Sequence, residues 1–228
     1  MKNLCIIPAR GGSKRIYRKN IKCFMGKPII AYSIEAALKS ELFDEVMVST
    51  DDDEIAEIAR QYGAKVPFMR SQENSNDHAG LADVIDEVIF KYRERGLIFD
   101  NWCCILSTAP FITNTLLRDS YNTFIINGFD TLRPVVKFSY PIQRAFKMSE
   151  LGCVSFMYPQ YAITRSQDLE PAYHDAGLFY WGTVLRGFKG DFWGGLEIDE
   201  KFCQDIDTES DWLIAEIKYK ALSQFYNR

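Results

Sequence analysis

The chain has 228 residues, enough for one sizeable α/β domain, and its 47% apolar and 25% charged residues are the balance of an ordinary globular protein. A net charge of −4 argues against nucleic acid as a partner, and no apolar run approaches the roughly 20 residues that a membrane helix needs. The first apolar run stops at Pro8 and gives way to Arg10, unlike a secretory leader, so cytoplasmic residence is expected. Six cysteines (Cys5, Cys23, Cys103, Cys104, Cys153 and Cys203) form no C-x-x-C pair and no ligand spacing with His78 or His174. They read as reduced packing residues, which leaves neither a zinc site nor thiol catalysis to expect.

In chain order, Leu4-Cys5-Ile6-Ile7 reads as a buried strand, followed by a long basic loop and a helix from Pro28 to about Ser40 with the proline in its first turn. Val46-Met47-Val48 is a second strand. Ser49-Thr50-Asp51-Asp52-Asp53 at its end offers caps for a helix running through Ile55, Ile58 and Ala59 to Gly63, and capping is also the plain reading of Ser49-Thr50-Asp51. Lys65–Met69 reads as a short third strand. Ala82, Ile85, Ile89 and Tyr92 share one face of a helix that Gly96 ends. Trp102–Leu106 is a strand and Asn114–Asn127 a helix. This alternation predicts an α/β fold: a Rossmann-like, doubly wound, mostly parallel sheet with right-handed crossovers.

After Asp130 the rhythm changes. Thr131–Phe138, Ala145–Met148, Val154–Met157, Leu178–Trp181 and Leu196–Ile198 look like strands, with Pro141, Pro159 and Pro171 between them. Residues 1–228 are therefore expected to form a single domain with a β-rich insert at about 139–173, a segment suited to a lid or subunit contact. Ser210–Gln224 reads as a closing amphipathic helix.

The loop after the first strand carries the strongest chemical signal. Arg10, Lys14, Arg15, Arg18 and Lys19 bring five cations and no acid into eleven residues, around the adjacent Gly11 and Gly12 and beside Ser13. A charge run is often only a solvated face, but this one stands at the carboxyl end of a strand, where open parallel sheets bind ligands. Polyphosphate is the ligand that fits. The Walker spacing and the G-x-G-x-x-G fingerprint are both absent, so the phosphate loop is of another kind.

Asp205-Ile206-Asp207-Thr208 is the second signal. In an extended segment the two carboxylates share one side while Ile206 packs inward. Two hard oxygen ligands suit Mg²⁺, whose octahedron water and phosphate oxygens complete; the alternative is a helix cap with an extra surface acid. Arg70 reads equally well as a phosphate or base contact and as a solvated loop residue. His174-Asp175 is a poor acid–base pair, because neighbours in an extended segment point apart. In Phe179-Tyr180-Trp181, alternation sets Tyr180 on the opposite face from two core residues.

Ile7-Pro8-Ala9-Arg10-Gly11-Gly12-Ser13-Lys14, Lys19-Asn20, Gly26-Lys27-Pro28, Ser49-Thr50-Asp51 and Asp205-Ile206-Asp207-Thr208 together resemble the motifs of CMP-sugar synthetases, the cytidylyltransferases of acidic sugars. Thr108-Ala109-Pro110-Phe111, Arg133-Pro134-Val135, Asp175-Ala176-Gly177 and Phe179-Tyr180-Trp181 resemble the pseudaminic-acid branch rather than the N-acetylneuraminate branch. The resemblance implies a nucleotide-diphospho-sugar transferase fold, a dimerisation insert and a homodimer. The implied reaction is transfer of CMP from CTP to a nine-carbon acidic keto-sugar, with Mg²⁺ as cofactor; legionaminic and N-acetylneuraminic acids are alternative acceptors, and a non-catalytic nucleotide-binding protein is a further alternative.

By position, the resemblance gives the triphosphate to Arg10, Ser13 and Lys19, with Gly11, Gly12 and Lys14 in the same phosphate loop. It gives the nucleotide contacts to Asn20 and Arg70, and the metal to Asp205 and Asp207. Arg10, Lys19 and Asp207 become the catalytic set. Arg165 falls to the sugar carboxylate, across a dimer interface, and Tyr180 to the sugar pocket. Tyr17 replaces a usual proline, Gly80-Leu81 the usual small hydroxyl residues, and Leu106-Ser107-Thr108 a Gln-Pro-Thr or Tyr-Pro-Thr pattern.

Overall fold

Aliphatic residues on both faces of Leu4-Cys5-Ile6-Ile7 leave no side of the strand for water, and β1 (Asn3–Pro8) is accordingly buried over nearly its whole length. The computed structural model describes residues 1–76 and 79–226, with side chains as far as residue 223; His78 lies outside the described residues. A small antiparallel pair, β2 (Cys23–Phe24) and β3 (Lys27–Pro28), follows the basic loop and feeds α1 (Ile30–Ser40). Pro28 is thus not in the first helical turn as expected. It pairs with Cys23, and the Ile29 amide donates to the Lys22 carbonyl at 3.1 Å, so the hairpin holds the segment and the helix starts two residues later.

β4 (Glu45–Ser49), α2 (Asp53–Gln61), α3 (Leu81–Glu94), β5 (Asn101–Ile105), α4 (Asn114–Asn127) and β6 (Thr131–Lys137) continue the alternation. The expected third strand at Lys65–Met69 does not form. Only Lys65 bridges Met47, and Pro67, with no N–H to donate, ends the ladder there. Between β6 and β9 (Tyr173–Asp175) the strand content is confined to one hairpin, β7 (Phe146–Met148) with β8 (Val154–Phe156), set among three single 3₁₀ turns. β10 (Phe179–Thr183), β11 (Trp193–Glu197) and α5 (Glu209–Tyr226) complete the chain.

The main sheet runs β11-β6-β10-β5-β1-β4, with β9 paired to β6. β4, β1 and β5 are parallel, as are β6 and β11. β10 lies antiparallel between β5 and β6, so its first residues arrive at the edge where its neighbours end.

Alternation divides the core between the faces. Cys5, Ile7, Val46, Val48, Cys103, Ile105 and Trp181 pack with Ile34, Ile55 and Leu117 of α1, α2 and α4. Leu4, Ile6, Met47, Trp102 and Cys104 pack with Ile85, Val88 and Tyr92 of α3. The helices therefore cover both faces, as a doubly wound sheet requires. Cys103 and Cys104 point to opposite faces, as their adjacency predicted. All six cysteines are unpaired, and burial pushes the thiols of Cys5, Cys103 and Cys104 well up, which keeps them protonated and inert.

Gly182 of β10 lies flat against the buried Trp102 indole, and a methyl group there would overlap the ring. Gly182→Ala is expected to lower unfolding free energy by about 1–3 kcal/mol, the usual cost of overpacking, as read by urea denaturation. An unchanged midpoint would mean that the indole has room to shift.

Candidate active site

Three cations of the opening loop are fixed by partners far along the chain. The loop leaves β1 beside the end of β4, where the Ala9 amide donates to the Ser49 carbonyl at 2.9 Å and the Gly11 amide to Asp51 Oδ1 at 2.9 Å. A Cβ on Gly11 would come within 2.7 Å of Asp52 Oδ2, so this approach requires glycine, whereas Gly12 faces open space. Arg18 then grips Asp52 through both terminal nitrogens, at 3.1 and 2.8 Å, and reaches Glu54 at 2.7 Å. The hydrogen-bonded guanidinium holds the Asp52 carboxyl below its usual range, and the same bond raises Arg18.

The cap comes from the middle of the expected run, Ser49-Thr50-Asp51-Asp52-Asp53. Asp52 caps α2 by accepting from the Ile55 amide at 3.0 Å, which frees Asp51 to hold the loop.

Lys19 joins the two ends of the sequence. Its Nζ donates to the Ile206 carbonyl at 2.6 Å and lies 3.4 Å from Asp207 Oδ1, while Arg15 Nη1 lies 2.9 Å from Asp207 Oδ2. Hydrophobic packing makes the meeting obligatory. Ile16 of the loop and Ile206 of the late segment are both buried in one cluster with Phe24, Ile29, Tyr32, Phe111, Trp212 and Ala215. Thr208 Oγ1 accepts from the Asp211 amide at 3.2 Å, and Asp211 Oδ2 accepts in return from the Asp207 and Thr208 amides, which fixes the turn into α5.

The loop borders an open cleft of about 260 Å³ at the carboxyl edge of β1 and β5. Arg10, Ser13, Lys14, Lys19, Asn20 and Arg70 line it, against Leu81, Val84 and Leu106. Asn20 is buried and uses its amide internally, donating to the Arg10 carbonyl at 2.8 Å and accepting from the Ser107 hydroxyl at 2.9 Å. It therefore orients Arg10 as well as facing the cavity. Arg70 is no solvated loop residue: it is buried, its Nε donates to Ser49 Oγ at 3.0 Å, and a terminal nitrogen donates to the Ser49 carbonyl. Burial pulls its pKa down, yet an arginine so held stays cationic at neutral pH.

Of the remaining expected residues, Asp205 is exposed beside Asp207. Among the described residues no group of three or more acidic, histidine or cysteine side chains is arranged around a common point. Two carboxylates nonetheless match the donor count with which Mg²⁺ is bound when substrate phosphates complete its shell, so the pair fits that ion. Arg165 is not brought to the cleft. Its side chain is 71% exposed and pairs with Asp168 three residues on, at 2.8 Å. Tyr180 faces the α3 side of the sheet, opposite Cys104, and donates its hydroxyl to Asp175 Oδ1 at 3.2 Å. Burial and that carboxylate push the phenol up, so it remains a donor.

Sequence reasoning missed Ser107, Arg15 as a partner of Asp207, the Arg18–Asp52–Glu54 brace, and Arg133. Arg133 lies with its guanidinium 5.6 Å from the Tyr180 ring centroid and 4.8 Å from that of Trp193. The run of acids after Asp51, Asp52-Asp53-Glu54, was the readable signal for the brace. Ser107 and Arg133 entered only inside Leu106-Ser107-Thr108 and Arg133-Pro134-Val135, with no role of their own, since each acquires its partners only through the fold.

The sequence matches the family model described as Cytidylyltransferase over residues 4–218. It is 46% identical over 225 residues to pseudaminic acid cytidylyltransferase of Campylobacter jejuni subsp. jejuni serotype O:2, covering 96% of this chain and 97% of that protein. It is 38% identical to CMP-N,N'-diacetyllegionaminic acid synthase of Legionella pneumophila, covering 95% of each. N-acylneuraminate cytidylyltransferase of Oncorhynchus mykiss is 33% identical, over 92% of this chain and 49% of that protein. The solved structure of CMP:2-keto-3-deoxy-manno-octonic acid synthetase complexed with CTP aligns with 98% of this chain and 100% of its own, with a TM-score of 0.71 at 18% identity, a likeness of fold.

The wall that carries Arg70 predicts an acid sensitivity. Glu87 of α3 is desolvated, which alone would raise its pKa. Hydrogen bonds from Lys91, Asn74 and the Ser71 amide and hydroxyl outweigh this and bring it from 4.5 to about 2. A depressed carboxyl contributes stability that is complete above its unfolded value and lost as pH falls from about 4.5 through about 2. Denaturation midpoints should drop across that window in the wild type and less steeply in Glu87→Gln; equal slopes would show that other carboxylates dominate.

Proposed function

The chain belongs to the cytidylyltransferase family, and from that premise we propose that it transfers CMP from CTP to the anomeric hydroxyl of a nine-carbon acidic keto-sugar, releasing pyrophosphate. Pseudaminic acid is the proposed acceptor, in keeping with the relative at 46% identity. One observation carries the reading: Lys19 and Asp207, 188 positions apart, meet at 3.4 Å beside a cleft lined by Arg10, Ser13, Lys14 and Arg70. A cationic wall with an acidic turn at its rim is what a polyphosphate requires.

In the reaction, the anomeric oxygen forms a bond to the α-phosphorus of CTP while the bond from that phosphorus to the bridging oxygen breaks. The electron pair leaves with pyrophosphate, and the hydroxyl proton passes to solvent. Such a transfer depends mainly on positioning and charge. Arg10 and Lys19 stabilise the charge that develops on the leaving group, Ser13 and Lys14 hold the triphosphate, and Asn20 keeps Arg10 in place. Gly11, with its amide already bonded to Asp51, sets the course of the loop, and Gly12 leaves the adjacent backbone open. Arg70 is the fixed cation at the nucleotide end. Mg²⁺ is the proposed cofactor; held by Asp205 and Asp207, it supplies further positive charge to the phosphate oxygens.

The whole chain is proposed to act as one domain, with residues 139–173 as an insert through which two copies associate. Support comes from its bare apolar side chains, among them Tyr140, Leu151 and Ile163, at 86%, 92% and 97% exposure. Arg165, unoccupied by its own subunit's cleft, is proposed to serve a neighbouring copy's acceptor. Neither nucleic acid nor membrane is a proposed partner: the net charge is −4, and no described helix is long and apolar enough to cross a membrane. Cytoplasmic residence, where CTP is made, follows from the reading.

With CTP and magnesium, a panel of pseudaminic, legionaminic and N-acetylneuraminic acids should release pyrophosphate fastest with the first. CTP binding without release from any acid would establish a non-catalytic nucleotide-binding protein instead. Lys19→Ala should lower kcat/KM by about 10²–10³, the usual cost of one transition-state donor, with the circular dichroism spectrum retained. Full activity in that variant would remove Lys19 from the reaction. Chelation should abolish pyrophosphate release and added magnesium restore it, whereas activity that survives EDTA would dismiss the metal.

A further inference from the structure

Asn20 occupies the single 3₁₀ turn Lys19–Ile21 and borders the cleft, yet it is only 6% exposed, as is Ser107 beside it. The Arg10 carbonyl, 2.8 Å from Asn20 Nδ2, can only accept a hydrogen bond, so it decides which way the amide faces. The amide oxygen must then point to Ser107, and the serine hydroxyl must donate to it across 2.9 Å. One N–H of Asn20 has no partner among the described residues. The strand end that carries Ser107 is fixed on both sides. The Leu106 amide donates to the Leu178 carbonyl at 2.9 Å, and the fully buried Ser33 of α1 donates its hydroxyl to the Leu106 carbonyl at 2.8 Å. The Ser107 hydroxyl therefore stands on the sheet, apart from the loop that it restrains.

We infer that Ser107 is a positioning residue for CTP and acts through Asn20. By holding the amide oxygen, it keeps the Asn20 side chain in the cleft wall. There one N–H steadies the main chain at Arg10, and the other is offered to an oxygen of the nucleotide. Without the hydroxyl, a buried amide oxygen would lack a donor, and the side chain would turn out toward water to find one. Reversing the amide in place gives no relief, because two oxygens would then face each other at Arg10. The inference rests on the cytidylyltransferase reading above and deepens it, because it names a residue that sets how firmly CTP is held.

The test is a double-mutant cycle read by calorimetric titration of CTP with magnesium present and no acceptor added. Ser107→Ala is expected to weaken CTP binding about fivefold, the range of one neutral hydrogen bond, and Ser107→Thr, which keeps the hydroxyl, by less than about twofold. In an Asn20→Ala background the Ser107→Ala change should lower the affinity no further. Steady-state rates should place the loss in the CTP KM and leave the acceptor KM unmoved. Equal losses in both backgrounds would mean that Ser107 acts independently of Asn20, and a Ser107→Ala protein that no longer melts cooperatively would mean that it serves the fold; either overturns the inference. Undiminished affinity in Ser107→Ala overturns it as well, while the cytidylyltransferase reading stands. A wild type that fails to bind CTP overturns both.

Discussion

The Lys19 ammonium, bonded to the Ile206 carbonyl and 3.4 Å from Asp207, is the contact on which the arrangement of the site depends. It ties the loop after the first strand to the turn before the last helix. A single charge-assisted hydrogen bond at a half-exposed position could not hold two such segments together. Burial of Ile16 and Ile206 in a shared aromatic cluster does so, and the lysine is set by that packing. The polar geometry of the cleft is thereby bound to a hydrophobic core of its own, apart from the two that line the sheet.

The same logic governs the other wall. Arg18 is held by Asp52 and Glu54, and Gly11 by Asp51, so three carboxylates between the end of β4 and the first turn of α2 fasten a loop rich in cations. Without them, mutual repulsion among Arg10, Lys14, Arg15, Arg18 and Lys19 would spread the loop. With them in place, Arg10, Lys14 and Lys19 line the cavity, to which Arg70 adds a buried charge. The electrostatic field is built into the fold before any anion arrives.

Much of this was legible in the residues. Strand–helix alternation gave the class of fold, the alternation of Asp205, Ile206 and Asp207 gave a buried isoleucine between two acids, and the adjacency of Cys103 and Cys104 gave opposite faces. What could not be read depended on long-range competition. Pro28 looked like a helix start because nothing local reveals its pairing with Cys23. Lys65–Met69 looked like a strand because hydropathy does not weigh the missing amide of Pro67. Which acid of Asp51-Asp52-Asp53 caps α2 was not legible, because Gly11, forty positions earlier, claims the first of them. Arg133 was invisible as a polar centre because its neighbours come from β9, β10 and β11, whose order in the sheet no local pattern encodes.

The reversed direction of β10 separates the site into two inheritances. The cations that line the cleft come from the opening loop and from Arg70, which bonds to Ser49 at the end of β4, whereas Tyr180 enters on β10 and Asp175 on β9, both antiparallel to β6. Substitution in the second set leaves the cationic loop and the contacts that brace it untouched. A scaffold divided in this way is free to diversify at one end while the chemistry at the other stays constant.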